Sequence, residues 1–267
     1  ECIQRMRDME RAHVIRGNEE KYLENLIGKD QSTWTDGQMQ ISYYCYRAVS
    51  EENLAYLLSR PHSLELRCGD VTLHIAHASD AFIADCELKE WLPAHITKRY
   101  HNRVITAESI KTDIQDYYDN DARFQQIFAE LESGIYIFGH SHVQWNYRSK
   151  DGKKILVNPG SCGLPLDGIT GSLPYTIIDI DDAGHVSVKE RRIPYDVEEY
   201  IKVLVESDQF LKAKVWTKII ARELKTGREH LFYFLQFAEK YAVEIGDTRR
   251  PFALDTWETA YEIWSEK

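Results

Sequence analysis

The chain has 267 residues, 43% apolar and 28% charged. That is enough for one large α/β domain or for a domain with an appendage, and the composition excludes a disordered chain. No run approaches the ~20 apolar residues that cross a bilayer, and a formal net charge of −10 argues against a nucleic-acid footprint of the usual basic kind.

The five cysteines Cys2, Cys45, Cys68, Cys86 and Cys162 form an odd set without C-x-x-C spacing. They read as reduced thiols of a cytoplasmic protein.

From the amino terminus, a helical stretch at Cys2–Met6 precedes a β-rich run, Ala12–Arg16, that leads into Gly17-Asn18-Glu19-Glu20. Glu19 to Ile27 reads as a helix, followed by a polar loop holding Trp34. Thr35-Asp36 caps a second helical run through Val49. Ser50 with Glu51 and Glu52 starts a third, which stops before Pro61. The alternating runs Leu64–Cys68 and Val71–Ile75 flank Gly69-Asp70, the chemistry of a hairpin turn. The second run carries His74 and ends at His77.

Residues 79–133 turn helical, with breaks at Pro93, near Arg103 and at Asp119-Asn120. This stretch reads as an insertion, and loops and insertions at strand ends are where substrate choice usually lies. Lys98, Arg99, His101 and Arg103 within it are open to two readings. They could receive a phosphate group, or form a solvated helix face paired with Glu90 and Glu108.

Ile135–Phe138 reads as a buried strand running into Gly139-His140-Ser141-His142. Alternate residues of an extended chain face the same way, so the two imidazoles leave the same side of the backbone, and the glycine before them relieves crowding. Hairpins follow, Val143–Arg148 with Lys154–Val157, then Tyr175–Ile180 with His185–Glu190. The second turn imitates a calcium loop through Asp179, Asp181, Gly184 and Glu190, but Ala183 holds the fifth position and both flanks are β-like. Beyond Pro194 the chain reads as helical. A capping box at Asp196 and Glu199 opens a helix through Val205, and one helix runs from Ser207 to near Gly227. Two more surround Phe232–Tyr241 and Thr256–Trp264. Their aromatics recur at helical spacing, as core or as the contact of a homo-oligomer.

Three short β-rich runs thus end in polar, metal-competent side chains: Asn18, His77, and His140 with His142. In open α/β sheets chemistry gathers outside the carboxyl ends of the strands. Imidazole nitrogens and an amide oxygen suit a first-row transition metal better than calcium or magnesium. His77 is preferred to His74 because it ends its run and is followed by small residues.

Gly17-Asn18, His77, Gly139-His140-Ser141-His142 and Asn158-Pro159-Gly160-Ser161, in that order, resemble the second half of the calcineurin-like metallophosphoesterase family, near its small bacterial phosphodiesterase branch. The resemblance covers roughly residues 1–195. It implies a four-layer α/β/β/α fold, a β-sandwich flanked by helices, as domain 1–195, with a helical extension at 196–267. It also implies two divalent transition-metal ions, manganese first, with iron, zinc or nickel as alternatives. Asn18, His77 and His140 would hold one ion and His142 the other, with the Asn158–Ser161 turn structural beside them.

The family's Asp-x-His and Gly-Asp blocks, which normally precede Gly-Asn, are not among the first seventeen residues. The expectation is therefore that the chain begins inside the domain and has little activity by itself. Glu19 stands where many members have a histidine that protonates the leaving group, and Glu20 is a candidate to orient the site from behind the ligands. The implied activity is metal-dependent hydrolysis of phosphate esters on a small or nucleotide-like substrate. Protein serine/threonine phosphatase and a catalytically inactive binding module are the alternatives.

Overall fold

The computed structural model describes residues 1–83, 98, 100 and 104–265. The chain forms two compact units: residues 1–61, 198–222 and 230–267 make up one, and 62–197 with 223–229 make up the other. The division therefore does not fall at a single point near 195. The first sixty residues group with the late helices because they bond to them directly. Gly37 N donates to Phe252 O at 2.9 Å, Trp216 Nε1 donates to Gln38 O at 2.7 Å, and Asp36 bridges to Ala253.

The unit built on 62–197 contains the sheet. Strands β1 (Ser63–Cys68), β2 (Val71–Ala76), β3 (Gly134–Ile137), β4 (Gln144–Arg148) and β5 (Lys154–Pro159) lie in the order β1-β2-β3-β5-β4. β2, β3 and β5 are parallel, while β1 and β4 pair antiparallel at the edges. The carboxyl ends of three neighbouring strands therefore open on one side. The Gly69-Asp70 hairpin forms as expected, with Gly69 at φ +59°, a conformation that glycine takes without a Cβ penalty.

One sheet face carries Tyr136, Phe138, Trp145, Tyr147 and Leu156. It packs on Ile110, Ile114 and Tyr118 of helix Ala107–Asn120 and on Phe124 and Phe128 of helix Ala122–Glu130. The break between those helices is Asp121, whose carboxylate accepts from Phe124 N and caps the second one. The opposite face, Ile135, Ile155 and Val157, packs on Ile178, Ile180, Val186 and Val188. Those four belong to the ribbon of β6 (Ser172–Ile180) and β7 (Val186–Pro194). Helices, sheet and ribbon supply the α, β and β layers of the expected α/β sandwich. Covered on both faces, β3 and β5 read as continuous apolar runs. The ribbon, with one face to solvent, alternates. Its calcium-like carboxylates are committed elsewhere, Asp179 to Lys189 at 2.6 Å and Asp181 to His185 at 2.9 Å.

The other unit is helical. Phe234, Trp257, Tyr261 and Phe252 are buried together, with Trp216 and Trp264 against them, so the aromatic stripes are core. Ser50 caps the helix Glu51–Leu58 as read from the sequence. Two expectations are corrected here. The run Ala12–Arg16 is not a strand: residues 12–17 have no regular structure, and Arg16 N makes one bond, to Pro61 O at 2.9 Å, instead of a ladder. The helix from Ser207 is two, Asp208–Lys212 and Lys214–Thr226, because buried Ala213 leaves the helical region at φ −141°, ψ 56°. No helix of the described residues is long and apolar enough to cross a membrane.

Candidate functional site

β2, β3 and β5 each end in a residue that builds one corner. His77 follows β2, Gly139-His140-Ser141-His142 follows β3, and Asn158 closes β5. The ends are stitched together by the backbone, Gly139 N to His77 O at 2.9 Å and Phe138 N to Val157 O at 3.0 Å.

Past Gly139 the chain does not remain extended. His140 (φ 64°) and His142 (φ 58°) both adopt the left-handed conformation, so strand alternation does not set the direction of the two rings. Such a conformation costs a side-chain-bearing residue on the order of 1 kcal/mol or more, and it persists only where surrounding contacts over-determine it. The glycine is not the left-handed residue. The histidines are.

Asn158 supplies that constraint. It is fully buried, and its Nδ2 donates to Gly139 O at 3.1 Å and to Ser141 Oγ at 2.8 Å. Its Oδ1 accepts from Gly160 N at 3.0 Å. Gly160 itself has φ +80°, and a Cβ there would lie 2.7 Å from Pro174 Cγ. The Asn-Pro-Gly-Ser segment is thus the clasp of the histidine loop, in keeping with the structural role expected of it. Asn158→Ala removes both donors and the acceptor, leaving buried loop groups unpaired. A loss of about 1–3 kcal/mol in stability is expected, with weaker metal binding, measured by thermal unfolding and calorimetric metal titration. Unchanged values in both would show that the loop holds itself.

The loop brings His140 Nδ1 to 3.2 Å from His77 Nε2, with ring centroids 5.1 Å apart at 68°. His142 turns to a different partner, its Nδ1 2.7 Å from Leu164 O. A carbonyl only accepts, so Nδ1 carries the proton and Nε2 keeps its lone pair. Burial is the largest influence on His142 and lowers its pKa, ahead of the opposing Leu164 bond, with His140 also lowering it and Glu229 raising it. The neutral ring is favoured. His74 is committed elsewhere: it stacks on Tyr136 at 4.7 Å, with Nδ1 3.6 Å from a Glu65 carboxylate oxygen.

The donors match a transition metal in kind. Two imidazole nitrogens 3.2 Å apart can both reach a single ion at about 2.0–2.1 Å, and the neutral His142 offers a third, separately oriented nitrogen. Among the described residues no three His, Cys, Asp or Glu side chains are gathered into a group that could hold an ion.

The remaining expected residues fall as follows. Asn18 is the first residue of helix Asn18–Glu24, in the helical unit. Glu20 closes the start of that helix, its carboxylate accepting from Gly17 N at 2.7 Å. Glu19 is exposed as a residue, yet protein crowded around its carboxyl raises its pKa, with the charge of Glu20 adding to this. Arg99, His101 and Arg103 lie outside the described residues. Cys162 is exposed.

Sequence reasoning missed three participants. The Leu164 carbonyl is backbone and leaves no residue-type signal. Glu229 acts on His142 from a segment, 223–229, that groups with the sheet unit although it lies far along the chain. Asp167, fully buried and ion-paired with Arg192, sits in an Asp-Gly pair that looks like any turn.

An α/β protein with an imidazole pair at the carboxyl ends of parallel strands is the class this geometry defines. The calcineurin-like phosphoesterase superfamily domain matches residues 1–183, and the chain belongs to that family. No curated protein matches it. Similar solved structures include a hypothetical protein from Pyrococcus horikoshii OT3, 15% identical over 86% of this chain and 78% of that one, with a TM-score of 0.49. A predicted phosphoesterase from Streptococcus pneumoniae TIGR4 is 19% identical over 53% of this chain and 67% of that one, with a TM-score of 0.26. Vps29 from Entamoeba histolytica, complexed with zinc, is 16% identical over 52% and 63%, also with a TM-score of 0.26.

Proposed function

We propose that the protein hydrolyses phosphate esters, as a phosphodiesterase or phosphatase acting on a small or nucleotide-like substrate with two divalent transition-metal ions, manganese first. The observation that carries this reading is the His77 Nε2 to His140 Nδ1 approach of 3.2 Å on a chain of the calcineurin-like phosphoesterase superfamily. His77 and His140 are assigned to one ion and His142 to the other. Bound divalent ions supply Lewis acidity toward the phosphoryl oxygens and lower the pKa of the attacking water. The chain's own part is to present imidazole nitrogens at fixed positions. His142 does so because the Leu164 carbonyl holds the proton on Nδ1, and His140 because Asn158 holds its loop. No serine or cysteine nucleophile is required.

The test uses the protein with whatever upstream residues its gene encodes. Hydrolysis of bis-p-nitrophenyl phosphate, p-nitrophenyl phosphate and a phosphoserine peptide is compared with and without manganese. Manganese-dependent turnover of the diester or the small monoester, abolished by chelation, is expected. Turnover confined to the peptide would move the assignment to protein phosphatase. Failure to bind manganese and to turn over any of the three would overturn the enzymatic reading.

A further inference from the structure

A short run of backbone holds His142. Leu164 O receives the ring proton at 2.7 Å, and Leu166 N donates to the His142 carbonyl at 3.0 Å. Ring and backbone of one residue thus rest on the same short segment, and wherever that segment moves, His142 Nε2 moves with it.

The segment is fastened on both sides. Before it, Ser161 Oγ accepts from Leu164 N at 3.0 Å. After it, Asp167 is fully buried, accepts from Ile169 N at 3.2 Å through Oδ1, and pairs through Oδ2 with Arg192 Nη2 on β7. Gly168 N then donates to Gly227 O at 2.7 Å. Gly168 has φ +77°, and a Cβ there would lie 2.3 Å from Ile105 Cδ1, so this position takes glycine.

Arg192 lies on the ribbon face turned toward the sheet, with Val186, Val188 and Glu190 at alternate positions. A buried ion pair is weak evidence for stability, since similar apolar residues often serve as well, and its best-attested use is to specify one arrangement.

We infer that Asp167, clamped by Arg192, is a positioning residue for His142, fixing through the 164–166 segment which nitrogen carries the proton and where the bare one stands. The inference rests on the phosphoesterase reading for its purpose but not for its geometry. The carboxylate acts on the backbone that acts on the histidine, one step removed from substrate and metal.

The experiment reads the imidazole itself. In protein carrying ¹⁵N-labelled histidine, the protonated Nδ1 and bare Nε2 of His142 give separate resonances, assigned by their loss in His142→Gln. Asp167→Asn, and Arg192→Lys as a milder change, are measured well below their unfolding temperatures, without metal. The expected result is movement of the His142 resonances toward a mixture of tautomers in both variants. Manganese affinity is expected to fall by about 10- to 100-fold, as for residues that orient metal-ligating histidines. If Asp167→Asn does not fold, Arg192→Lys carries the same comparison. Folded variants with lower unfolding temperatures and wild-type His142 resonances would make the pair purely structural and overturn the inference. Absence of metal-dependent hydrolysis in the unmutated protein would overturn the phosphoesterase reading alone, because the resonance comparison needs neither metal nor substrate.

Discussion

His140→Ala is expected to abolish metal-dependent hydrolysis while leaving the fold intact. The ring contributes one of the two nitrogens that meet at 3.2 Å, so its removal leaves His77 without its neighbour. Losing a residue that merely orients a ligand costs about 10- to 100-fold in metal affinity, and losing the ligand should exceed that. Metal assistance is worth several kcal/mol of barrier, so the rate should fall by about 10³-fold or more.

Stability should barely change, because His140 is exposed and alanine suffers the same left-handed strain at φ 64°. His140→Gly separates the two effects. It should be as inactive as the alanine variant yet more stable than it by about 1 kcal/mol, since glycine adopts that conformation freely. Metal content after dialysis, diester turnover and the unfolding temperature of both variants make the comparison. Wild-type metal content and rate in His140→Ala would remove this residue from the site.

Phe124→Ala should produce the largest loss of stability among single truncations of the sheet unit. The ring is fully buried and lies 4.1 Å from Tyr118, 5.2 Å from Phe128 and 5.4 Å from Tyr147. It therefore joins both helices of 107–130 to the sheet face at β4. Truncating a phenylalanine in such a place costs about 3–5 kcal/mol, because the lost transfer energy is compounded by a cavity that rigid neighbours cannot fill. For a chain of this size that lowers the unfolding temperature by on the order of 10 °C. Thermal and urea unfolding are the measurements. A loss below about 1 kcal/mol would mean that the helices do not depend on this contact. Phe124→Leu, which fills part of the volume, should recover much of the stability and confirm packing as the cause.

Much of the layout could be read from residue order alone, where the signal was local. Gly69-Asp70 between alternating runs is a hairpin because the turn conformation and the strand period are both written in neighbouring residues. Ser50 caps its helix for the same reason. Ile135–Phe138 is a central strand because a stretch buried on both faces must be apolar throughout. The stretch Ala12–Arg16 had the composition of a strand and lacked a partner to pair with. A strand is a property of two segments, and composition reports only one. The helix expected from Ser207 to Gly227 failed in a related way, since the break at Ala213 carries no glycine or proline to announce it.

The candidate site divides along the same line. Which residues have the chemistry to bind a metal was evident from Asn18, His77, His140 and His142, since imidazole and amide donors are recognisable wherever they stand. How they are presented was not. The histidine loop is left-handed at both rings, held by Asn158 from another strand together with a Ser141 N to Gly139 O bond of 2.8 Å inside the loop. The proton on His142 is placed by a backbone carbonyl twenty-two residues away, and the segment bearing that carbonyl is anchored by Asp167 to a ribbon farther along the chain. Donor type is a property of the side chain, so residue order alone determined the candidates, and it placed His77 and the His140–His142 pair after strands, whereas Asn18 opens a helix. Ring direction and tautomer are properties of distant contacts, which exist only after the parallel strands have brought those segments together. Only the tertiary structure decided them.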